Sequence, residues 1–126
     1  MRYKVLLRHP MFSGVCIFNG PVNKFEFHHV ADVEVSDDVG LEGVYLITQN
    51  GSPEHDPLNN PTGTWTKDSR VTLTEEGKRL GCEVMNDSLR SLSVGDIVAD
   101  DDNLWMVFAY GFLKVKERVS DYEVVD

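Results

Sequence analysis

The stretch that decides the fold lies between residues 90 and 115. It begins with RSLSVGDIV at 90–98, reaches a polar tip, DDDN, at 100–103, and returns as LWMVFAY at 104–110 before GFLKV at 111–115. Ser93, Gly95 and Asp96 are turn residues, and the apolar runs on either side of the tip have the composition of strands. The stretch therefore predicts a C-terminal β-meander whose middle strand is central, because it carries apolar side chains on both faces.

Six residues of this stretch are assigned structural roles. We expect Asp96 to accept backbone N–H bonds in the turn and Gly111 to end the middle strand. Trp105 and Phe112 are expected to be packing anchors. The predicted structural motif comprises Ser93, Gly95, Asp96, Trp105, Gly111 and Phe112.

The C-terminal pattern resembles a motif of phage, plasmid and other mobile-element proteins, and it is similar to the ending of YodL-like domains. The residues that carry the resemblance are 90–98, Trp105, Val107, 111–112 and Val115. Residues 41–50, followed by a tryptophan at 65, are similar to the upstream part of such proteins. The resemblance covers about half of the chain. It implies an origin in a mobile element, but the family has no established activity that could be assigned to single residues. Two aspartates, at 101 and 102, stand where many relatives have a glycine.

Upstream of the meander, four segments have the pattern of strands: 3–8, 14–18, 25–28 and 31–35, with a turn signal at 19–21. Residues 36–50 are compatible with a strand over 44–48 or with a short helix, which we favour. Ser36, Asp37 or Asp38 would cap that helix. Its buried face would comprise Leu41, Val44, Tyr45 and Thr48. Residues 71–73 favour another short strand, and 74–76 resemble the start of a second helix.

Two segments are expected to lie outside regular structure. Residues 49–65 form a long loop rich in proline and glycine, and Trp65 at its end either anchors it on the core or contacts a partner. Residues 120–126 have little to pack against and are expected to be frayed. Taken together, these patterns predict that residues 1–126 form a single compact α+β domain. It would consist of a mainly antiparallel β-sheet with one or two short helices and the C-terminal β-meander.

The chain of 126 residues is long enough for one hydrophobic core. No apolar run approaches the roughly 18 residues that a membrane span requires. The first apolar segment, 5–7, is interrupted at once by Arg8, His9 and Pro10, unlike the core of a signal peptide. We therefore expect a cytoplasmic location, that of the host cell if a phage encodes the protein. Cys16 and Cys82 belong to no Cys-x-x-Cys motif and are expected to be reduced core thiols.

Acidic residues outnumber basic ones, giving a formal net charge of −9, and residues 31–66 contain seven acidic residues and neither lysine nor arginine. Such a surface argues against direct nonspecific binding to nucleic acid, although Arg2, Lys4, Arg8 and Lys24 could form a basic patch. We take the acidic residues and one aromatic as candidates for contact with a partner protein. They are Asp32, Glu34, Asp37, Asp38, Glu42, Glu54, Asp56, Trp65, Asp100, Asp101 and Asp102.

No motif in the sequence specifies a catalytic or metal site. His28 and His29 would point to opposite faces of a strand, and adding His55 and Asp56 gives no tight ligand spacing. Residues 100–102 lack the alternating ligands and the distal glutamate of a calcium loop. Phosphate-binding glycine loops and nucleophile elbows are absent. We therefore expect the protein to be no enzyme and to need no cofactor.

Three functional hypotheses fit these observations. The leading one is a small accessory protein of a phage or mobile element that binds a host protein and inhibits or redirects it, in host takeover or anti-defence. One version has the acidic surface imitating nucleic acid. The alternative is a β-rich nucleotide- or nucleic-acid-binding module that uses Trp65, Trp105 and the loop 49–65. The third is a structural component of the virion. A homodimer is compatible with all three.

Overall fold

A single antiparallel sheet organises the chain. The computed structural model describes residues 1–8, 22–51, 63–84 and 89–125, with the backbone alone for 82–84. The strands are β1 (Arg2–Arg8), β2 (Val22–Asn23), β3 (Phe27–Glu34), β4 (Val71–Leu73), β5 (Ile97–Ala99), β6 (Leu104–Phe108), β7 (Gly111–Glu117) and β8 (Asp121–Val124). The helices are α1 (Gly40–Ile47) and α2 (Glu75–Val84), with 3-10 turns at Lys24–Glu26 and Trp65–Lys67. This architecture confirms the predicted α+β class and the C-terminal meander.

The strands lie in the order β2-β8-β7-β6-β5-β1-β3-β4. Three residues, Lys24–Glu26, connect β2 at one edge to β3, which is next to the other edge. So short a connection requires the sheet to curl until its two sides approach each other. The Phe27 ring of β3 accordingly meets the Tyr122 ring of β8 edge-on, with centroids 5.1 Å apart.

Each face of the curled sheet has its own hydrophobic core. The smaller core lies inside the curl and contains Val22, Ile97, Met106, Val115 and Tyr122. The larger core lies on the opposite face, where both helices and the 3-10 turn at Trp65–Lys67 cover the sheet. Its buried members include Val5, Val33, Val44, Trp65, Leu80, Leu89, Val98 and Val107. Met106 and Val107 therefore belong to different cores, as expected for a central strand with two apolar faces.

The N-terminal strands agree with the sequence patterns only in part. The strand predicted at 3–8 is confirmed, and β1 pairs with β3 and β5. The strand predicted at 25–28 is wrong for Phe25 and Glu26, which lie in a 3-10 turn because the Asn23 side chain accepts the Phe25 N–H at 2.9 Å. From Phe27 to Glu34 the chain is one strand. The strand predicted at 14–18 and the turn at 19–21 lie outside the described residues.

The short helix favoured for 36–50 is confirmed as α1, with Val44 and Thr48 buried and Leu41 and Tyr45 packed against the larger core. Its predicted cap is wrong. The cap residue is Val39, and no side chain caps the helix. Instead the Val39 N–H donates to the Ser36 carbonyl at 3.1 Å, and Gly40 begins the helix with φ of 70°. Glycine reaches this left-handed conformation without the steric cost that other residues incur, so the turn replaces the cap.

The second helix begins as the sequence predicts. The Thr74 hydroxyl accepts the Gly77 N–H at 3.0 Å, as an N-cap does, and donates to the His29 carbonyl at 2.6 Å. These two bonds fix the start of α2 against β3. Gly77 sits where the helix backbone comes closest to the strand, and a Cβ built on it would lie 2.0 Å from the Val30 carbonyl oxygen.

Replacing Gly77 with alanine is expected to lower the free energy of unfolding by about 1–3 kcal/mol, because the added methyl group meets backbone that cannot rotate away. Helix propensity alone predicts the opposite sign, a gain of about 1 kcal/mol. Gly43→Ala in α1 is the comparison, since its Cβ meets side-chain atoms of the exchangeable Val39 rotamer, Cγ1 and Cβ, where that of Gly77 meets backbone. Urea unfolding followed by circular dichroism measures both. A stabilised Gly77→Ala protein would show that α2 does not approach β3 this closely.

The C-terminal segment differs from its prediction. Residues 121–124 are not frayed: they form β8, which pairs with β7 on one side and β2 on the other. Tyr122 is buried because the strand's alternation places it and Val124 inside the curl. The middle strand of the meander ends at Phe108 rather than at 110, and Gly111 begins β7 with φ of 125°.

No helix among the described residues is long and apolar enough to cross a membrane.

Candidate functional site

The segment RSLSVGD closes around a buried ion pair. The side chain of Asp96 is 1% exposed and binds the Arg90 guanidinium through both oxygens, at 2.6 and 2.7 Å. The same carboxylate accepts the backbone N–H groups of Arg8 and Ser93, each at 2.8 Å. Arg90 also donates to the Arg8 carbonyl at 2.8 Å. The predicted role of Asp96 is confirmed, and the pair ties the segment to the end of β1.

The turn within this segment is built on Gly95, whose φ is 96°. Its N–H donates to the Val107 carbonyl at 3.0 Å, and the Val107 N–H donates to the Asp96 carbonyl at 2.8 Å. The motif residues Ser93, Gly95 and Asp96 thus act together in one structural unit. Phe112 packs against the larger core as expected, whereas Trp105 is only half-buried and belongs to neither core.

Trp65 anchors the end of the loop on the core and is not available to a partner. Its side chain is 0% exposed, and its indole N–H points at the carbonyls of Leu89 and Arg90, at 3.2 and 2.9 Å. Its backbone N–H donates to the Asn50 side chain at 3.0 Å. The assignment of Trp65 to partner contact is therefore wrong. Stacking of a base on this ring, which the nucleotide-binding hypothesis requires, is excluded in this conformation.

The predicted acidic residues do not form one surface. Asp32 lies on β3, where Arg2 and His29 each contact it at 2.8 Å. Burial opposes its charged form, but these two partners outweigh burial and lower its pKa. Glu34, on the same strand, is exposed. Glu54 and Asp56 lie outside the described residues.

Several of the other carboxylates converge at one end of the sheet. Burial raises the pKa of Tyr3, and the charges of Asp100 and Asp37 raise it further, which places both carboxylates near the start of β1. The N-terminal amine contacts Asp37 at 3.2 Å, yet this side chain is 93% exposed. We define the acidic end by five residues, of which Asp100 is half-buried and the others exposed: Asp37, Asp38, Asp100, Asp101 and Asp102.

Asp100 shapes the hairpin tip between β5 and β6. Its carboxylate accepts the N–H groups of Asp102 and Asn103 at 2.8 and 2.7 Å, and the Trp105 indole lies 3.4 Å away. Burial opposes ionisation of Asp100, but the two backbone N–H groups, the Trp105 indole and the charge of Lys114 together outweigh burial and lower its pKa. Because these bonds are internal to the tip, Asp101 and Asp102 are the carboxylates that remain turned to solvent.

The basic residues considered as a patch are largely neutralised. Arg2 pairs with Asp32 at 2.8 Å, Arg8 with Glu26 at 3.1 Å and Lys24 with Glu117 at 2.6 Å. Lys4 alone of the four has no such pair among the described residues. Three internal ion pairs leave little positive charge to attract phosphate.

The histidines lie apart, as the strand pattern predicts. His28 contacts Glu76 at 3.2 Å, and His29 contacts Asp32 at 2.8 Å on the other face. Within the described ranges, no three His, Cys, Asp or Glu side chains are arranged to hold a metal ion. The combination with His55 and Asp56 lies outside those ranges, as does Cys16, and the Cys82 side chain is not described.

A groove between α1 and the β6–β7 turn is the best candidate for a binding site. Its volume is about 350 Å³, within the range of sites that take a ligand or a partner side chain. Its lining residues are mostly apolar: Glu42, Tyr45, Leu46, Val94, Val107, Phe108, Ala109, Gly111 and Phe112. Leu46 is 71% exposed, and Tyr110, in the turn beside Ala109 and Gly111, is 97% exposed.

The groove brings together residues that sequence reasoning had separated. Glu42 is the one predicted partner residue in its lining, and Gly111 and Phe112 were assigned structural roles alone. The sequence contains one signal for Leu46 as a contact residue, since it is a large apolar residue outside the predicted buried face of α1. The lining offers apolar contact and one carboxylate, and this chemistry suits binding. Comparison with protein families, curated proteins and solved structures finds no match to this chain.

Proposed function

We propose that this chain is a small, non-enzymatic protein-binding domain that engages a host protein through the groove between α1 and the β6–β7 turn. One observation carries the proposal: Leu46 is exposed in the lining of an apolar groove, and Tyr110 projects into solvent from between the lining residues Ala109 and Gly111. Exposed apolar surface of this kind costs free energy in water and is typical of interaction sites.

A protein fits this surface better than a small ligand does. Small-ligand sites enclose their ligand and orient it with several convergent polar groups. Here the apolar surface continues beyond the groove, since the Tyr110 side chain projects almost entirely into solvent. Aromatic side chains in this position are frequent among the residues that dominate the energetics of protein interfaces.

The acidic end is a secondary element of the proposal. Asp37, Asp38, Asp101 and Asp102 are exposed, and their charges would steer a partner with a basic surface toward the domain. Imitation of nucleic acid is a narrower version, which the engagement of Asp32 and Asp100 in internal contacts weakens. The origin in a mobile element rests on the sequence motif, and inhibition or redirection of the host protein belongs to the same proposal.

The test compares groove variants in their binding to partners from host lysate. Leu46→Asp places a charge in the apolar surface, and Tyr110→Ser removes the projecting ring. Each is expected to weaken capture at least about tenfold, the effect of losing an interface residue that contributes 1.4 kcal/mol or more. Quantitative mass spectrometry of captured proteins across bait concentrations gives the measurement.

Val119→Asp is the matched control, because Val119 is apolar and 93% exposed but lies in the connection between β7 and β8, where no neighbouring residue lines the groove. It should retain every partner that depends on the groove. If the same proteins bind all four baits equally, the groove is not the interface. Expression in the host gives a second comparison: an effect on growth or defence that Leu46→Asp abolishes and Val119→Asp preserves supports the proposal.

A further inference from the structure

We infer that the groove takes a short partner segment in which one large apolar side chain lies about a helical turn from a lysine or arginine. The apolar side chain fills the space between α1 and the β6–β7 turn, and the cation pairs with Glu42. This inference rests on the proposed function and adds the chemistry of the partner to it.

The shape of the groove defines the first half of the motif. Val107 and Phe112 are paired across β6 and β7 and pack with the larger core, so they give the groove a fixed apolar floor. Leu46 and Phe108 add apolar walls. An apolar side chain inserted between them gains roughly 25 cal/mol for each Å² of surface removed from water. A polar side chain would lose its hydration there without a compensating partner.

Charge defines the second half. Glu42 is exposed, and among the described residues of the lining it is the one that carries a charge. No ion pair joins it to any cation in the described part of the chain. Asp37 and Asp38 belong to the acidic end and are absent from the lining, so Glu42 alone supplies the charge that faces a partner in the groove. A partner cation therefore meets attraction without displacing an existing pair, whereas a partner carboxylate is repelled.

The geometry of α1 fixes the spacing. Glu42 and Leu46 are four residues apart in one helix, so they lie on the same face with Cβ atoms about 5–6 Å apart. The partner's cation and its apolar side chain must match that separation. Two residues that are three or four positions apart in a partner helix match this separation. Residues i and i+2 of an extended segment, about 6.6 Å apart, match it as well.

The experiment selects from a library of random linear peptides on the wild-type protein, with counter-selection on Leu46→Asp. We expect enriched peptides to carry a large apolar residue within four positions of a lysine or arginine. For such a peptide, Glu42→Gln should weaken binding about twofold to fivefold, the range for an exposed ion pair. Tyr110→Ser should weaken it at least about tenfold. Glu75→Gln is the control, since Glu75 is also a glutamate but begins the other helix, and it should leave affinity unchanged.

Each further outcome decides one of the two proposals. If no peptide binds the wild-type protein better than Leu46→Asp, the motif is overturned, and capture from lysate by the wild-type and Leu46→Asp baits decides the proposed function separately. If enriched peptides depend on Leu46 and Tyr110 but carry no basic residue, or ignore Glu42→Gln, the motif is overturned and the proposed function stands. Self-association that requires Leu46 and competes with the peptides would identify a second copy as the occupant and overturn the inferred motif.

Discussion

Replacing Asp96 with asparagine is expected to lower the free energy of unfolding by about 3–5 kcal/mol. The substitution keeps the shape of the side chain but removes its charge, so the Arg90 guanidinium is left largely buried beside a neutral group. It also turns one of two acceptor oxygens into a donor, although the carboxylate uses both of them. Because small domains have total stabilities of about 5–15 kcal/mol, a loss of this size is a large part of the whole.

Urea denaturation followed by tryptophan fluorescence measures the effect, with Asp101→Asn as the control at an exposed aspartate of the hairpin tip. The control should stay within about 0.5 kcal/mol of wild type. Arg90→Gln combined with Asp96→Asn should cost less than the two single changes together, since the double variant leaves no unpaired charge. Equal stability of Asp96→Asn and Asp101→Asn would show that the buried pair does not hold 90–96 to β1.

The meander could be predicted from sequence because its information is local. Turn residues at 93–96 and a polar tip at 100–103 separate short apolar runs, and hairpins depend on such neighbouring signals. The acceptor role of Asp96 follows from the same turn chemistry. Its partner Arg90 could not be predicted, since the pair forms only when the segment closes against the Arg8 backbone at the end of β1, 88 residues earlier than Asp96.

Strand β8 was missed for a related reason. The connection at 118–120 contains neither glycine nor proline, and Ser120 with Asp121 is a weaker turn signal than the Ser93, Gly95 and Asp96 combination. Its Arg118 N–H nevertheless donates to the Asp121 carbonyl at 2.7 Å and closes a turn. The burial of Tyr122 then depends on the curl of the sheet, which brings Phe27 against it. Contacts between distant segments of this kind are not contained in local periodicity.

The sequence predicts single residues of the candidate site but not the groove that they form. Glu42 was selected for its charge, and Phe112 for its place in the meander. The groove itself exists because α1 packs beside a turn more than sixty residues later in the chain. The sequence is compatible with two roles for Trp65, packing in the core or contact with a partner, because an aromatic residue at the end of a loop suits either role. The carbonyls of Leu89 and Arg90, which receive its indole N–H, decide between them.

Replacing Trp65 with alanine is the second large effect that we expect, a loss of about 3–5 kcal/mol in the free energy of unfolding. The ring is fully buried in the larger core, so its removal leaves a cavity. Trp65→Phe keeps most of the apolar volume but removes the indole donor to the Arg90 carbonyl, whereas the Leu89 carbonyl keeps the Asn50 side-chain amide at 3.1 Å. It should cost about 1–3 kcal/mol. Circular dichroism during urea unfolding reports both changes. Tyr110→Ala removes an aromatic ring that is 97% exposed and should stay within about 0.5 kcal/mol of wild type.

Trp65 and Asp96 both bind the segment 89–96, so the stability losses caused by their substitution are interdependent. The indole N–H of Trp65 bonds to the Arg90 carbonyl, while Asp96 binds the Arg90 side chain. Once either contact is lost, residues 89–96 are less firmly held and the other contact has less structure to stabilise. Trp65→Phe and Asp96→Asn together should therefore cost less than the sum of the single changes, by about 0.5–3 kcal/mol. Strict additivity would mean that the two contacts hold this segment independently, although both converge on Arg90.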